Sequence, residues 1–350
     1  MNPYITLNIT ILSMAMGTLI TISSSHWLIA WVGLEINTFA IIPLMTQKQN
    51  PRATEATIKY FIIQTTATAV LLFASISNAW ISGQWDIHQM NHPLPLTMIY
   101  IALALKLGLA PLHAWFPEVI QGLDLMTGFI LATWQKFAPI SLTLQLPNGN
   151  PALINTLSLL SILMGGWGGL NQAQLRKILG YSSIAHLGWM ILALQYLPML
   201  AFTTFMVYVI PTFFLFLTLK QTQATSINAL SMAWSKMPII SATLPLVFLS
   251  LGGLPPLTGF FPKLMILAEL TEQKISLTAT IAALSTLLSL YFYLRLSYAM
   301  TLTMPPNNLP ATLPWRINFT KPTMILATLA TLSLFFMPLS PMLSLFLFDD

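Results

Sequence analysis

The amino-acid sequence predicts an all-α, polytopic membrane protein of about eleven transmembrane helices. They form two inverted five-helix repeats with broken helices, plus one C-terminal helix. Three observations predict it. Of 350 residues, 56% are hydrophobic and only 7% charged, with a mean hydropathy of +0.75, whereas a soluble domain carries about 25% charged residues. The apolar residues fall into stretches near the ~20 residues that one bilayer crossing needs. Two proline- and glycine-rich interruptions recur at one constant offset.

In chain order the spans read as residues 3–23, 27–46, 57–80, 96–120, 125–146, 151–170, 174–195, 198–219, 239–268, 275–298 and 322–347. Residues 1–146 are the first repeat, 151–298 the second and 322–347 the final helix, all within a single integral membrane domain. The longest polar connections are 220–238 and 299–321. The segment from Ile227 to Trp234 reads as an ordinary loop, with a short interfacial amphipathic helix as the alternative. Trp27, Trp80, Trp85 and Trp234 sit near span ends, as interfacial aromatic belts require.

Fourteen Lys and Arg against nine Asp and Glu leave a net charge of +5. There is too little polar surface for these to form a nucleic-acid patch, so they read as topology signals. Lys48, Arg52 and Lys59 follow span 2; Arg176 and Lys177 enter span 7; Lys220 and Lys236 follow span 8; Arg295, Arg316 and Lys321 lie in or after span 10. Connections after odd spans hold only Lys274. The positive-inside rule then places the even loops and the N-terminus on the inner side, and Asp349 and Asp350 on the outer side. The first basic residue is Lys48, so the N-terminus reads as neither an Arg-rich transit peptide nor a basic signal peptide. Cysteine is absent, which excludes disulfides, thiolate metal sites, iron–sulfur ligation and cysteine nucleophiles in this chain.

Span 4 contains Gly108-Leu-Ala-Pro111-Leu-His113-Ala-Trp-Phe-Pro117-Glu118, and span 9 contains Gly253-Leu-Pro255-Pro256-Leu-Thr-Gly259-Phe-Phe-Pro262-Lys263. At an offset of 145, six of the eleven positions are identical. Proline removes a backbone donor and clashes with the preceding turn. Within a bilayer the freed carbonyls need partners in protein or water, so each interruption implies a polar cavity or a close neighbour. The interruptions lie five spans apart, so the two segments cross in opposite directions, as in transporters built on inverted repeats. Pro111, Pro117, Pro255, Pro256 and Pro262 are the broken-helix residues.

A charge at a helix centre costs roughly 2.5–3.5 kcal/mol on insertion scales. Glu35, Lys106, Lys136 and Lys263 nevertheless lie deep, with His113 and His186, while Glu118 lies nearer the end of span 4. Singly, each has a structural reading: a Glu35–Lys106 ion pair, a snorkelling Lys136, a histidine bonded to a carbonyl. Together they suit a proton path, because a buried lysine can exist neutral or charged and histidine titrates near neutrality. Hydroxyls such as Ser182 and Ser183 and water would link them. Asp86, His88 and His92 read as a solvated loop rather than a metal site, and Gly165 and Gly169 as close helix packing.

Leu105-Lys-Leu-Gly-Leu-Ala-Pro-Leu-His-Ala-Trp-Phe-Pro-Glu118, Tyr181-Ser-Ser-Ile-Ala-His186 and Leu251-Gly-Gly-Leu-Pro-Pro-Leu-Thr-Gly-Phe260 resemble hallmark segments of the antiporter-like subunits of respiratory complex I. The resemblance runs over nearly the whole chain. It implies a mitochondrial inner-membrane subunit that helps move protons as electrons pass from NADH to ubiquinone elsewhere in the complex. It also implies kinship with multisubunit sodium/proton antiporters. Glu35, Lys106, Lys136, Lys263, His113 and His186 match the family's proton-path positions. Flavin, iron–sulfur clusters and quinone are implied for other subunits and no cofactor for this one. The implied partners are other complex I subunits, including neighbouring antiporter-like chains, and membrane lipid. Bacterial relatives carry fourteen helices and this chain aligns from their fourth. Span 10 lacks a central counterpart of Lys136, which implies chemically unequal half-channels. The readings left open beside it are a stand-alone cation/proton antiporter, a haem protein using His113 and His186, and a scaffold with inert buried charges.

Overall fold

The computed structural model describes residues 3–47, 50–90, 92–147, 149–302 and 323–337. Lys48, Arg316, Lys321, Asp349 and Asp350, which enter the charge argument, lie outside the described residues. All regular structure among the described residues is helical, apart from isolated bridges between His26 and Asp86 and between Gln174 and Ser226. By contact the chain divides into two compact units, residues 1–161 and 162–350, with the boundary inside α8.

Unit 1 holds α1 (Pro3–Ser23), α2 (Trp27–Met45), α3 (Pro51–Ser82), α4 (Pro93–Leu107), α5 (Trp115–Gly122), α6 (Leu125–Ala132), α7 (Trp134–Gln145) and the start of α8 (Pro151–Gly169). Proline opens α3 and α4 at positions where its missing N–H has no intrahelical partner. α1 packs on α2, α3 lies along α4 and α5, and α7 touches α1, α2 and α4. Unit 2 holds the end of α8, α9 (Leu175–Leu194), α10 (Pro198–Thr222), α11 (Ile227–Ser231), α12 (Ala233–Lys236), α13 (Pro238–Gly252), α14 (Phe260–Glu272), α15 (Ser276–Thr301) and α16 (Thr323–Phe335). Here α9 packs on α10, α13 on α15, and α16 against α10 and α13.

Among the described residues, seven helices (α1, α2, α3, α8, α9, α10 and α15) are each long and apolar enough to cross a membrane. Their outer faces carry exposed Leu12, Leu19, Phe73, Leu284 and Leu287, the arrangement expected where the surrounding medium is lipid or another apolar chain. Hydroxyls within these helices turn back onto carbonyls three or four residues earlier, as Ser182 does to Leu179 and Thr204 to Ala201. That removes their cost in an apolar setting.

The predicted spans 4 and 9 are each two helices parted by the proline segment: α4 and α5, α13 and α14. The described part of the predicted span 322–347 is helical over Thr323–Phe335, and residues 338–350 lie outside the described residues. Two expectations are corrected. Span 5 is not continuous, because it parts at Thr133, whose hydroxyl and N–H both bond the Phe129 carbonyl. Pro139 then withholds a donor from the Gln135 carbonyl, so the backbone is loosened on both sides of Lys136. The segment Ile227–Trp234 is not a plain loop. Ser226 caps α11 by accepting from the Ala229 N–H, and the Trp234 indole donates to the Met300 carbonyl at 2.7 Å.

Candidate functional site

The first break begins where α4 reaches Gly108, which adopts φ +77°, a left-handed conformation that suits a residue without Cβ. The Gly108 N–H bonds the Leu105 carbonyl at 3.2 Å and the Leu109 N–H bonds the Ala104 carbonyl at 2.9 Å, which closes the helix as a Schellman motif. The Ala110–Pro111 bond is cis. The carbonyls that the break frees are taken up by side chains. The Trp115 indole donates to Leu105 O at 3.2 Å, and Gln64 Nε2 on α3 reaches Lys106 O at 3.4 Å.

Lys106 in the last turn of α4 and Lys136 in the first turn of α7 are both buried. They line one small cavity of about 10 Å³ with Tyr60, Gln64, Phe116 and Gln135, close to the lower limit for a single water. Lys136 Nζ stands 4.7 Å from the centre of the Phe116 ring, a cation–π distance. Glu35 is half-buried on α2 and near enough to act electrostatically on Lys106 and Tyr60. No hydrogen bond or ion pair joins it to Lys106 in this conformation; its carboxylate receives a long contact from Thr38 Oγ1 at 3.4 Å. Gln135 Nε2 donates to the Asn37 carbonyl at 3.2 Å, which ties the cavity to the helix that carries Glu35. His113 sits within the break and faces the Pro111 backbone. Glu118 pairs with Lys59 at 2.8 Å, and Lys59 also meets Glu55 at 2.7 Å.

The second break repeats this backbone. Gly253 adopts φ +80°; its N–H bonds Ser250 O at 3.0 Å, and the Leu254 N–H bonds Leu249 O at 3.3 Å. The Pro255–Pro256 bond is cis. Here the lysine follows the break. Lys263 Nζ reaches back to donate to Gly252 O at 2.9 Å, capping the carbonyl end of α13 with a cation. Thr258 Oγ1 donates to Ser333 O at 2.6 Å and so fixes the break to α16.

Lys263 and His186 line a cavity of about 20 Å³ with Thr204, Tyr208, Pro211 and Pro262. The His186 and Tyr208 rings lie 5.2 Å apart. Pro211 cannot donate to the Val207 carbonyl, and both residues line this cavity. A wider apolar cleft of about 530 Å³ flanks the same lysine, with Pro255, Leu264, Thr271 and Thr286 among its walls.

The structure thus brings Lys106 and Lys136 together, and Lys263 and His186 together. It leaves His113 in the backbone of the first break, with Pro111, Pro255 and Pro256 exposed. Sequence reasoning missed Tyr60, Gln64, Gln135 and Tyr208, which are uncharged. The readable signal for Gln64 and Gln135 was an amide deep in an otherwise apolar span.

Comparison with known proteins gives a consistent result. The family described as NADH:quinone oxidoreductase/Mrp antiporter, TM, matches residues 24–289, and the NADH dehydrogenase subunit 2 C-terminus matches residues 290–344. The chain is 63% identical to NADH-ubiquinone oxidoreductase chain 2 of Tetraodon nigroviridis, covering 97% of this chain and 98% of that one. It is 59% identical to the protein of the same name from Salmo salar, at the same coverage. Among solved structures, a chain of respiratory complex I from Thermus thermophilus superposes with a TM-score of 0.82 at 28% identity, covering 95% of this chain and 78% of that chain. A chain of the Mrp complex from Dietzia sp. shares the fold, with a TM-score of 0.80 at 14% identity over 97% of this chain and 75% of its own length.

Proposed function

The chain belongs to the NADH:quinone oxidoreductase/Mrp antiporter transmembrane family, and from that premise we propose that its two lysine-lined cavities carry protons across the membrane. The protein is a multi-pass membrane subunit of respiratory complex I, the proton-translocating NADH:ubiquinone oxidoreductase, and its partners are the other subunits of that complex. Near-complete alignment with chain 2 of that enzyme favours this reading over a stand-alone cation/proton antiporter.

The observation that carries the proposal is the shared cavity of Lys106 and Lys136 beneath a broken helix. An approaching Glu35 carboxylate holds the Lys106 ammonium; its withdrawal lets the proton leave. Glu35 sits within electrostatic reach but outside bonding contact, so a modest shift of α2 or of the side chain is enough to switch between the two. The released proton crosses a gap of about one water to Lys136, and the Phe116 ring face steadies the charge there. In unit 2, Lys263 and His186 gate exchange with one aqueous side. The step is affordable: one charge moved through 100 mV costs about 2.3 kcal/mol. The chain holds no flavin, cluster or haem in this proposal, since those belong to other subunits.

The proposal also includes two inverted repeats, a mitochondrial inner membrane, the N-terminus and even loops on the matrix side, and the C-terminus on the opposite side. The loop parity of the basic residues supports the orientation, and the matched backbone of the two breaks supports the repeat.

Lys106→Met in the assembled complex tests the path, with NADH-driven quinone reduction and proton uptake scored together and assembly checked on a native gel. Assembly with loss of both activities is the expected result. Normal reduction and pumping would show Lys106 to be structural and end the proposed mechanism.

A further inference from the structure

We infer that His26 is a proton-responsive cap: neutral, it closes the first turn of α2; protonated, it releases that turn and pairs with Asp86. His26 takes no part in the proton path proposed above. The first N–H groups of a helix have no partner inside it. In α2 the Trp27 N–H donates to the Trp85 carbonyl at 3.1 Å, and the Ile29 N–H to the His26 carbonyl at 3.1 Å. The Leu28 N–H donates to the His26 side chain, at Nδ1, over 3.2 Å. An imidazole nitrogen accepts only while it carries no proton. Protonation of His26 therefore takes this acceptor from the Leu28 N–H. It also sets a cation at the positive end of the helix, where the dipole opposes it.

The charged ring has partners of its own. His26 and Asp86 face each other across an isolated antiparallel bridge. The Trp27 N–H bond to Trp85 O and the Ile87 N–H bond to Ser25 O flank the pair at 3.1 and 2.9 Å. That makes it a non-hydrogen-bonded pair, the kind whose side chains come closest, with Cβ atoms about 4.5–5.5 Å apart. The Asp86 carboxylate receives the His88 N–H over a long 3.4 Å and keeps further capacity to accept. The Trp85 ring lies nearly parallel to the imidazole, 5.6 Å away at 8°, and an indole face attracts a cation. The other titratable groups on this connection are His88 and His92, both exposed. α1, the end of α3 and the end of α7, which Gln145 ties to Ile22 O, bring no charged residue here.

Unit 2 builds the same clasp from residues that do not titrate. Gln174 at the N-cap of α9 bridges Ser226, with the Leu175 N–H on Thr225 O at 3.1 Å and the Ile227 N–H on Ala173 O at 3.3 Å. The Gln174 side chain makes no cap bond. The backbone clasp is repeated and the proton-responsive pair is not, so the device belongs to unit 1 alone. It stands at the start of the helix that carries Glu35.

Hydrogen exchange on the assembled complex tests the cap. Protection at the start of α2 is divided by protection at the start of α9, so the general effect of pH on exchange cancels. As pH falls from about 8 to about 5, the range in which histidine charges, the ratio is expected to fall roughly fivefold, the loss of one N-cap. His26→Asn supplies a cap acceptor that no proton removes, and there the ratio is expected to stay level. A level ratio in the unaltered complex overturns the inference, as does a fall that survives in His26→Asn. If His26→Asn does not assemble, His88→Asn combined with His92→Asn decides. A fall that persists without these two exposed histidines assigns it to His26, and a fall that disappears with them overturns the cap.

Discussion

The two breaks share a backbone and differ in where the lysine stands. In unit 1 Lys106 precedes its left-handed glycine by two residues; in unit 2 Lys263 follows its glycine by ten. Both cations nevertheless occupy the carbonyl end of the helix before the break, Lys106 by its place in the last turn of α4 and Lys263 by reaching back to Gly252 O. The conserved quantity is the electrostatic niche, a helix C-terminus that favours positive charge, rather than a position in the sequence. The difference lies in what satisfies the freed carbonyls. Unit 1 uses neutral side chains, Trp115 and Gln64. Unit 2 uses the lysine itself.

The sharpest way to break the comparison is Gly259→Ala. A Cβ there would collide with the Ser250 carbonyl, whereas the matching position in unit 1 is already Ala114. Loss of the assembled complex on a native gel is expected, and an assembled, active variant would show that the second break can open. Next is the pair Gly108→Ala and Gly253→Ala. Each forces a side chain into the left-handed region, at about 1–2 kcal/mol, so both should lower the complex's thermal midpoint alike. Only the second also pushes on Lys263, whose Nζ would lie 2.8 Å from the new Cβ. Coupled turnover should therefore fall in Gly253→Ala and hold in Gly108→Ala; equal losses would erase the distinction drawn here.

A smaller effect is expected of Gln64→Leu, which strips the Lys106 carbonyl of a long 3.4 Å bond. About 1 kcal/mol of destabilisation follows, read as a small drop in thermal midpoint. The same measurement on Glu118→Gln should show no shift. Lys59 is well exposed and keeps Glu55 as a second partner, and such pairs contribute little in high dielectric. A clear drop would mean that this ion pair fixes α5 against α3.

The breaks were legible because glycine and proline act through the backbone, in register, and need no tertiary context. Membrane spans were legible for a similar reason, since hydropathy sums over twenty residues. The parting at Thr133 was hidden: threonine is compatible with a helix, and only the folded chain shows its hydroxyl on Phe129 O with Pro139 beyond it. The helices at 227–236 were hidden because their few residues are held by Trp234 on Met300, a contact that no local window contains, and the local Ser226 cap alone is a weak signal. For the site, depth could be read from sequence but adjacency could not. Lys106 and Lys136 are thirty residues apart and meet because α4 packs on α7, with Phe116 of α5 lining the cavity they share. Tyr208 passes as an ordinary aromatic until His186 is seen beside it.

Leu105 O is held twice, by the Gly108 N–H and by the Trp115 indole. That double hold makes the first break a fixed bracket rather than a joint. α4 and α5 are clasped across the gap, and the freedom left at this point belongs to the lysine side chain and to water. In the proposed path, a stroke here would swing a four-carbon arm under a stationary frame. Such a stroke would need no repacking of helices against lipid and could be repeated without reordering the chain at each cycle.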